Sequence, residues 1–246
     1  VIQTAPVYWY DEIDSTSEEA KRRARAGETS PVWIAARQQT AGRGRLGRTW
    51  VSPTGNLFVT ALFPEPGGLA IASRIPFAAA LAVIDACNRA VPDLNAKLKW
   101  PNDVRVDGAK ICGILTESGE TNGVVWIALG MGINVQHAPE VAEQVSTSLM
   151  EQGAPSALFP ELVLEDLRPA LAQRVEQARN RFDQLLEDWL RNAEGLGQMV
   201  EAGPPDRRIQ GIFEGLAEDG GLNLRLPDGT RQTIRAGDVE LVRQVD

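Results

Sequence analysis

The chain has 246 residues, 43% of them hydrophobic and 24% charged, with a formal net charge of −8. That length allows one or two domains with an ordinary core, and the apolar fraction excludes a disordered or low-complexity protein. The acidic balance excludes bulk binding to nucleic acid or to an anionic membrane, both of which require positive potential.

The elements are predicted in chain order as follows. The start carries Asp11, Glu12 and Asp14 with no basic region before them, which is not a signal-peptide pattern. Ser15 to Glu18 has capping-box spacing and predicts a helix of about three turns ending at Gly27. Val32 to Ala36 reads as a buried strand, and Asn56 to Phe63 as a strand of alternating character. Pro76 to Val91 is helical in pattern and stops at Pro92. Its apolar run from Ile75 to Val83 is shorter than the roughly 18–20 residues of a membrane span. Strands are expected at Ala96–Trp100, Val104–Val106 and Ile111–Glu117, with Asp107-Gly108 turning a hairpin. Val124 to Val135 is a further strand, reached through Asn122-Gly123. Phe159 to Glu194 is one helical stretch with a break expected near Pro169. After Gly203-Pro204-Pro205 only short strand patterns remain. The pattern therefore favours an α+β domain over residues 1–203 and a small β-barrel over 204–246, the alternative being that the last segment is the final sheet of one domain.

Cys87 and Cys112 lie far apart and form no disulfide framework, which fits a reducing, cytoplasmic setting. With the single His137 they are too few for a structural zinc site, and a Ser-His-Asp or Cys-His enzyme would have to run on His137 alone.

The basic residues are unevenly placed. Of the 25, only Lys21, Lys97, Lys99 and Lys110 are lysines. Residues 37–48 hold Arg37, Arg43, Arg45 and Arg48, no acid, and three glycines. Guanidinium forks match phosphate and carboxylate oxygens, and glycines let backbone N–H groups approach an anion. Four like charges in a glycine-rich loop also predict a segment with little to pack against. Gly42, Gly44 and Gly47 match G-x-G-x-x-G, yet Thr49-Trp50-Val51-Ser52-Pro53 follows where a dinucleotide fold starts a helix. A second cluster runs Lys99-Trp100-Pro101-Asn102-Asp103, then Lys110-Ile111-Cys112-Gly113, so two of the four lysines fall beside amide and carboxylate groups. Gly113 allows close approach within a strand. A third piece, Gly130-Met131-Gly132-Ile133-Asn134, ends a strand.

In order, Asp14-Ser15-Thr16, Gln39 to Trp50, Ser52-Pro53, Gly55-Asn56-Leu57, Lys99 to Asp103, Lys110 to Leu115 and Gly132-Ile133-Asn134 resemble the biotin–protein ligases. The resemblance runs through Gly237-Asp238-Val239-Glu240-Leu241-Val242. It implies a central mixed β-sheet with helices, like class II aminoacyl-tRNA synthetase cores, plus a C-terminal SH3-like β-barrel. It implies that biotin and ATP, with Mg²⁺, give biotinyl-5′-AMP, which then acylates a lysine of biotin carboxyl carrier protein. Lys110 would lie between the biotin carboxylate and the α-phosphate. Arg43 and Arg45 would close over the adenylate, and Arg48 would lie nearer the pyrophosphate. Ser15, Thr16, Gln39, Gly42 and Gly113 would belong to the biotin side. Trp50 would pack on adenine, with Asn102 and Asn134 on the nucleotide. Asp103 would be the carboxylate near Mg²⁺ or the incoming lysine.

The chain departs from that family at Ser17, where Asn is frequent, and at Leu46, where a further Arg occurs. The catalytic motif begins by residue 14, so a monofunctional ligase without a DNA-binding domain is expected. Homodimers are common in the family. The alternatives are a lipoate–protein ligase and an inert biotin-binding adaptor; the intact Arg-Gly-Arg loop and the Lys-Trp-Pro-Asn-Asp run favour the biotin ligase.

Overall fold

The computed structural model describes residues 1–141 and 144–242. Strands β1 (Val7–Ile13), β2 (Val32–Gln39), β3 (Leu57–Pro64), β4 (Ala96–Lys99), β5 (Asp103–Val106), β6 (Ala109–Thr121) and β7 (Val124–Ile133) form one sheet in the order β1-β2-β3-β7-β6-β5-β4. The β1–β2 pair is parallel and the others are antiparallel, so the sheet is mixed as expected. Asp107-Gly108 and Asn122-Gly123 turn the β5–β6 and β6–β7 hairpins, all four at positive φ as a two-residue primed turn requires.

Period-two alternation sorts the side chains between two covers. Val32, Ile34, Leu62, Trp126 and Ala128 pack under α1 (Thr16–Arg25) with Ala20 and Ala24. Trp33, Ala35, Leu57, Val59, Ala61, Phe63, Leu129 and Met131 face the opposite way, in the large core that includes α3 (Ile75–Ala90), α4 (Pro160–Asn180) and α5 (Phe182–Arg191). The alternation expected for β3 is absent because both faces are covered: Leu57 to Phe63 are all buried.

Three further expectations change. The helix does not break at Pro169: α4 runs through it, and the chain turns at Arg181, whose φ/ψ of −148/53 leaves the helical region. Packing of Val163, Leu164, Leu167, Leu171 and Val175 on both sides outweighs the single hydrogen bond lost at a proline. The capping box does not form, since Ser15 makes no side-chain cap bond. The segment Gly68–Ala90 is long and apolar enough to cross a membrane by composition, but it holds a short α2 (Gly68–Ala72) before α3, and α3 buries Ile75 and Phe77 to Ile84 in the core.

Strands β8 (Met199–Gly203), β9 (Ile209–Leu216), β10 (Leu222–Arg225), β11 (Arg231–Ile234) and β12 (Asp238–Leu241) build a second, antiparallel sheet in the order β11-β10-β9-β8-β12. It takes the place of the predicted barrel, although the β11–β12 seam carries no pairing among the described residues. Because β8 ends at Gly203, ahead of Pro204-Pro205, the sheet straddles the turn where composition set the domain boundary. The second sheet is seated on the first unit: Trp100 Nε1 donates to Gly220 O at 3.0 Å, and Phe77 lies against Gly220. Val200, Ala202, Phe213, Leu222 and Leu224 continue the large core.

Candidate active site

A cleft of about 590 Å³ opens on the α1 face of the large sheet, beyond the N-terminus of α1, within the usual range of small-molecule sites. It exists because the side chains on this face shrink along β7, from Trp126 and Ala128 to Gly130 and Gly132. Gly132 faces Gly113 across the β6–β7 ladder, and the Trp50 indole lies over the pair. A Cβ on Gly132 would stand 2.5 Å from Trp50 Cε2 and Nε1, and one on Gly113 2.8 Å from Cζ3. The space that Gly113 opens is therefore filled by Trp50, which becomes a wall of the cleft.

One end of the cleft is hydroxyl and amide. Gln39 Oε1 accepts from Thr16 N at 2.8 Å and Thr16 Oγ1 at 3.2 Å, so the side chain of β2 caps α1 where the capping box fails. Gln39 Nε2 donates to Ser52 Oγ at 3.0 Å. Thr60 Oγ1 donates to Thr16 Oγ1 at 2.9 Å and lies 3.3 Å from Ser17 Oγ. Ser15, Thr16 and Ser17 are buried, at 1, 3 and 7% exposure, so these groups can recognise a polar ligand only by fixed hydrogen bonds. Ser17, the departure noted in the sequence, joins this network through Thr60.

The other end is cationic. Lys110 and Gly113 are three apart, which in a regular strand puts them on opposite faces. A β-bulge resolves this: Cys112 pairs with Val104 but Lys110 with Arg105, and the extra residue Ile111 is buried beside Cys112. The register shift turns Lys110 onto the cleft face. Its Nζ lies 2.8 Å from Asp103 Oδ1 and 5.2 Å from the Trp50 ring centroid.

The arginine loop crosses the mouth. Leu46 and Gly47, both at positive φ, form its 3₁₀ tip. Contrary to the expectation of a loop with little to hold it, each of its three guanidiniums meets a carboxylate. Arg43 pairs with Glu18 of α1 at 2.8 Å. Arg45 donates to Asn102 Oδ1 at 3.0 Å, to Asp238 Oδ1 at 3.3 Å and to Gly237 O at 3.2 Å, and Arg48 donates to Asp238 Oδ2. Burial raises the Asp238 carboxyl, but the guanidiniums of Arg48 and Arg45 and the Lys99 ammonium outweigh it and hold it below the ordinary range. Asp238 in turn raises Arg48.

Ser15, Thr16, Gln39, Arg43, Arg45, Arg48, Trp50, Asn102, Asp103, Lys110 and Gly113 thus all line one cleft, as the motifs predicted. Two predicted residues do not. Gly42 lies behind the loop, its carbonyl accepting from Trp50 N at 2.9 Å, where a Cβ would be 2.5 Å from Trp50 O. Asn134 is buried behind Lys110, its Nδ2 donating to Lys110 O and Thr147 O, and its Oδ1 is buried without a partner. Arg37 points away to Glu161 and Asp11, and His137 also lies outside the cleft. Sequence reasoning missed Asp238 and Thr60. The Gly237-Asp238 pair was visible as a motif but carried no chemical signal of its own.

Asp103 and Asp238 are, among the described residues, the carboxylates lining the cleft, and both are engaged by cations. Among the described residues no three His, Cys, Asp or Glu converge. The described donor set does not fit a metal held by the protein: Asp103 is the partner of Lys110, and Mg²⁺ belongs with the nucleotide substrate.

Residues 9–134 match the biotin/lipoate A/B protein ligase family, and residues 195–242 match the biotin protein ligase C-terminal domain. The chain belongs to the biotin–protein ligase family. A biotin–[acetyl-CoA-carboxylase] ligase of Paracoccus denitrificans is 40% identical over 92% of this chain and 96% of its own length. One from Mycobacterium tuberculosis is 32% identical over 93% and 86%. The biotin protein ligase of Aquifex aeolicus, solved with biotin and ATP, superposes with a TM-score of 0.79 at 27% identity, covering 97% of this chain and 99% of that one.

Proposed function

We propose that this chain is an ATP-dependent biotin–protein ligase that forms biotinyl-5′-AMP and transfers the biotinyl group to a lysine of a biotin carboxyl carrier protein. The observation that carries the assignment of roles is the polarity of the cleft. Buried hydroxyls and an amide stand at one end, an indole wall and glycines in the middle, and Lys110 with two arginines at the other. Biotin has the same order: a ureido group, an apolar bicycle and chain, and a carboxylate.

In the first half-reaction a biotin carboxylate oxygen attacks the α-phosphorus and the bond to the β-phosphate oxygen breaks, releasing pyrophosphate. Two anions must meet, so fixed cations in a site sheltered from water lower the barrier. Lys110 lies where it can neutralise both, while Arg45 is fixed by three acceptors and Arg48, more exposed and held by Asp238 alone, is the arginine placed to follow the leaving pyrophosphate. The nucleotide substrate would carry Mg²⁺, whose charge would screen its phosphates. In the second half-reaction the acceptor lysine nitrogen attacks the acyl carbon and AMP leaves. Asp103, beside Lys110, is placed to take the proton that the amine must lose.

The hydroxyl end also decides against lipoate. A dithiolane has no hydrogen-bonding group, so it would gain nothing from the hydroxyls and amide at this end, whereas a ureido group can bond to them. Isothermal titration of biotin against lipoate tests this: binding of biotin alone supports the reading, and preferential binding of lipoate overturns it. The free, fully buried Cys87 and Cys112 fit the reducing cytoplasm. The domain division is placed near residue 195, where the C-terminal match begins and ahead of β8.

A further inference from the structure

We infer that Thr147, held by Glu151, is a positioning residue for Lys110; the inference rests on the reading of Lys110 as the cation of the adenylation site. Lys110 occupies the weakest stretch of its strand. The β5 register slips at this point, and β6–β7 pairing is regular only from Cys112 and Ile133 onward. Lys110 therefore lies beyond the β7 ladder, on the C-terminal flank of a hairpin turn, with a bulge on its other side. A flexible four-carbon side chain on a loosely held backbone could not keep its charge within the fraction of an ångström that transition-state stabilisation needs.

The chain after β7 supplies what the sheet does not. Residues 145–147 run parallel to the start of β6: Lys110 N donates to Val145 O at 2.9 Å, and Thr147 N donates to Lys110 O at 2.9 Å. Both backbone groups of Lys110 are thus fixed by this short segment. Asn134 Nδ2 bridges it, donating to Thr147 O at 3.0 Å and Lys110 O at 3.4 Å, while Asn134 N closes the bulge by donating to Ile111 O at 2.8 Å.

The segment is itself held by a reciprocal cap. Thr147 Oγ1 donates to Glu151 Oε2 at 3.1 Å and accepts from Gln152 Nε2 at 2.9 Å. Ser148 N donates to the same Glu151 oxygen at 3.1 Å, and Glu151 N returns to Ser148 Oγ at 3.3 Å. Leu149, fully buried, sets the depth of the turn, and Leu149 N donates to Asn134 O at 3.0 Å. Neither Thr147 nor Glu151 lines the cleft, so neither touches the ligand, and both reach the chemistry through the backbone they hold at Lys110.

The test is a double-mutant cycle on biotin-dependent pyrophosphate release, with biotin affinity and thermal stability measured on each protein. Thr147→Val and Glu151→Ala should each lower kcat for adenylate formation by about tenfold or more while biotin Kd stays within about threefold. Glu151→Gln, which keeps an acceptor oxygen, should recover most of the rate. In a Lys110→Ala background, Glu151→Ala should cost less than about twofold, because the group it positions is gone. An unchanged kcat in both single variants overturns the inference, as does an equal loss with and without Lys110. A normal rate for Lys110→Ala alone overturns the reading of Lys110 instead, and the inference falls with it.

Discussion

Replacing Gly132 with alanine tests whether Trp50 is a wall of the biotin site. Gly132 has no left-handed φ, so the backbone accepts alanine without strain. The cost falls on the ring. A new Cβ would lie 2.5 Å from two indole atoms and 2.8 Å from a third, whereas carbon contacts settle near about 3.5 Å. The indole must therefore move by about 1 Å, away from the sheet and into the cleft. Overpacking of this kind costs about 1–3 kcal/mol, which corresponds to roughly 5- to 150-fold in affinity. Titration calorimetry should show biotin binding at least about tenfold weaker in Gly132→Ala. Adding Trp50→Phe, a smaller ring, should restore part of the loss. Biotin affinity within threefold of the parent would refute the placement of Trp50 against the ligand.

Other outcomes follow from the same geometry. Lys110→Ala should slow pyrophosphate release by about a hundredfold or more, the usual cost of one charge-stabilising donor; a near-normal rate removes its assigned role. Arg45→Gly deletes three contacts that fix the loop over the cleft mouth, so adenylate should escape and label unrelated lysines; label confined to the carrier protein would contradict the loop's role. Asp14 is held at about 2 by the Arg22 guanidinium, against an ordinary 3.8. Being depressed, it stabilises the fold fully above 3.8 and loses that contribution as pH falls toward 2. Acid-unfolding curves of Asp14→Asn should therefore lie below the parent at neutral pH and converge with it in that interval; parallel curves would show that the pair does not stabilise the fold.

Much of this arrangement was legible in the chain because its signals were local. Asp107-Gly108 and Asn122-Gly123 announce their hairpins through backbone conformation alone. The arginine loop stands out because its charge opposes the chain's average, and the Lys-Trp-Pro-Asn-Asp run because lysine is scarce. What stayed hidden depends on long-range packing. Strand periodicity alone cannot show that a bulge at Ile111 brings Lys110 and Gly113 to one face. Asp238 lies far along the chain from Arg45 and Arg48, and an Asp after a Gly in a small strand has no distinguishing pattern. The motif assigns Trp50 to adenine, and its seat over two glycines that meet across a ladder is visible only from the register. Pro169 is the converse case: a strong local signal overridden by a helix packed on both sides of it.

The central claim is that the cleft joins biotin to a protein lysine through an adenylate formed at Lys110. The most direct measurement mixes the chain with biotin, MgATP and a biotin carboxyl carrier domain, then weighs the carrier. The account predicts a gain of one biotinyl group at a single lysine, dependent on ATP and lost in Lys110→Ala. A carrier of unchanged mass, or one modified equally well by the Lys110→Ala protein, would contradict it.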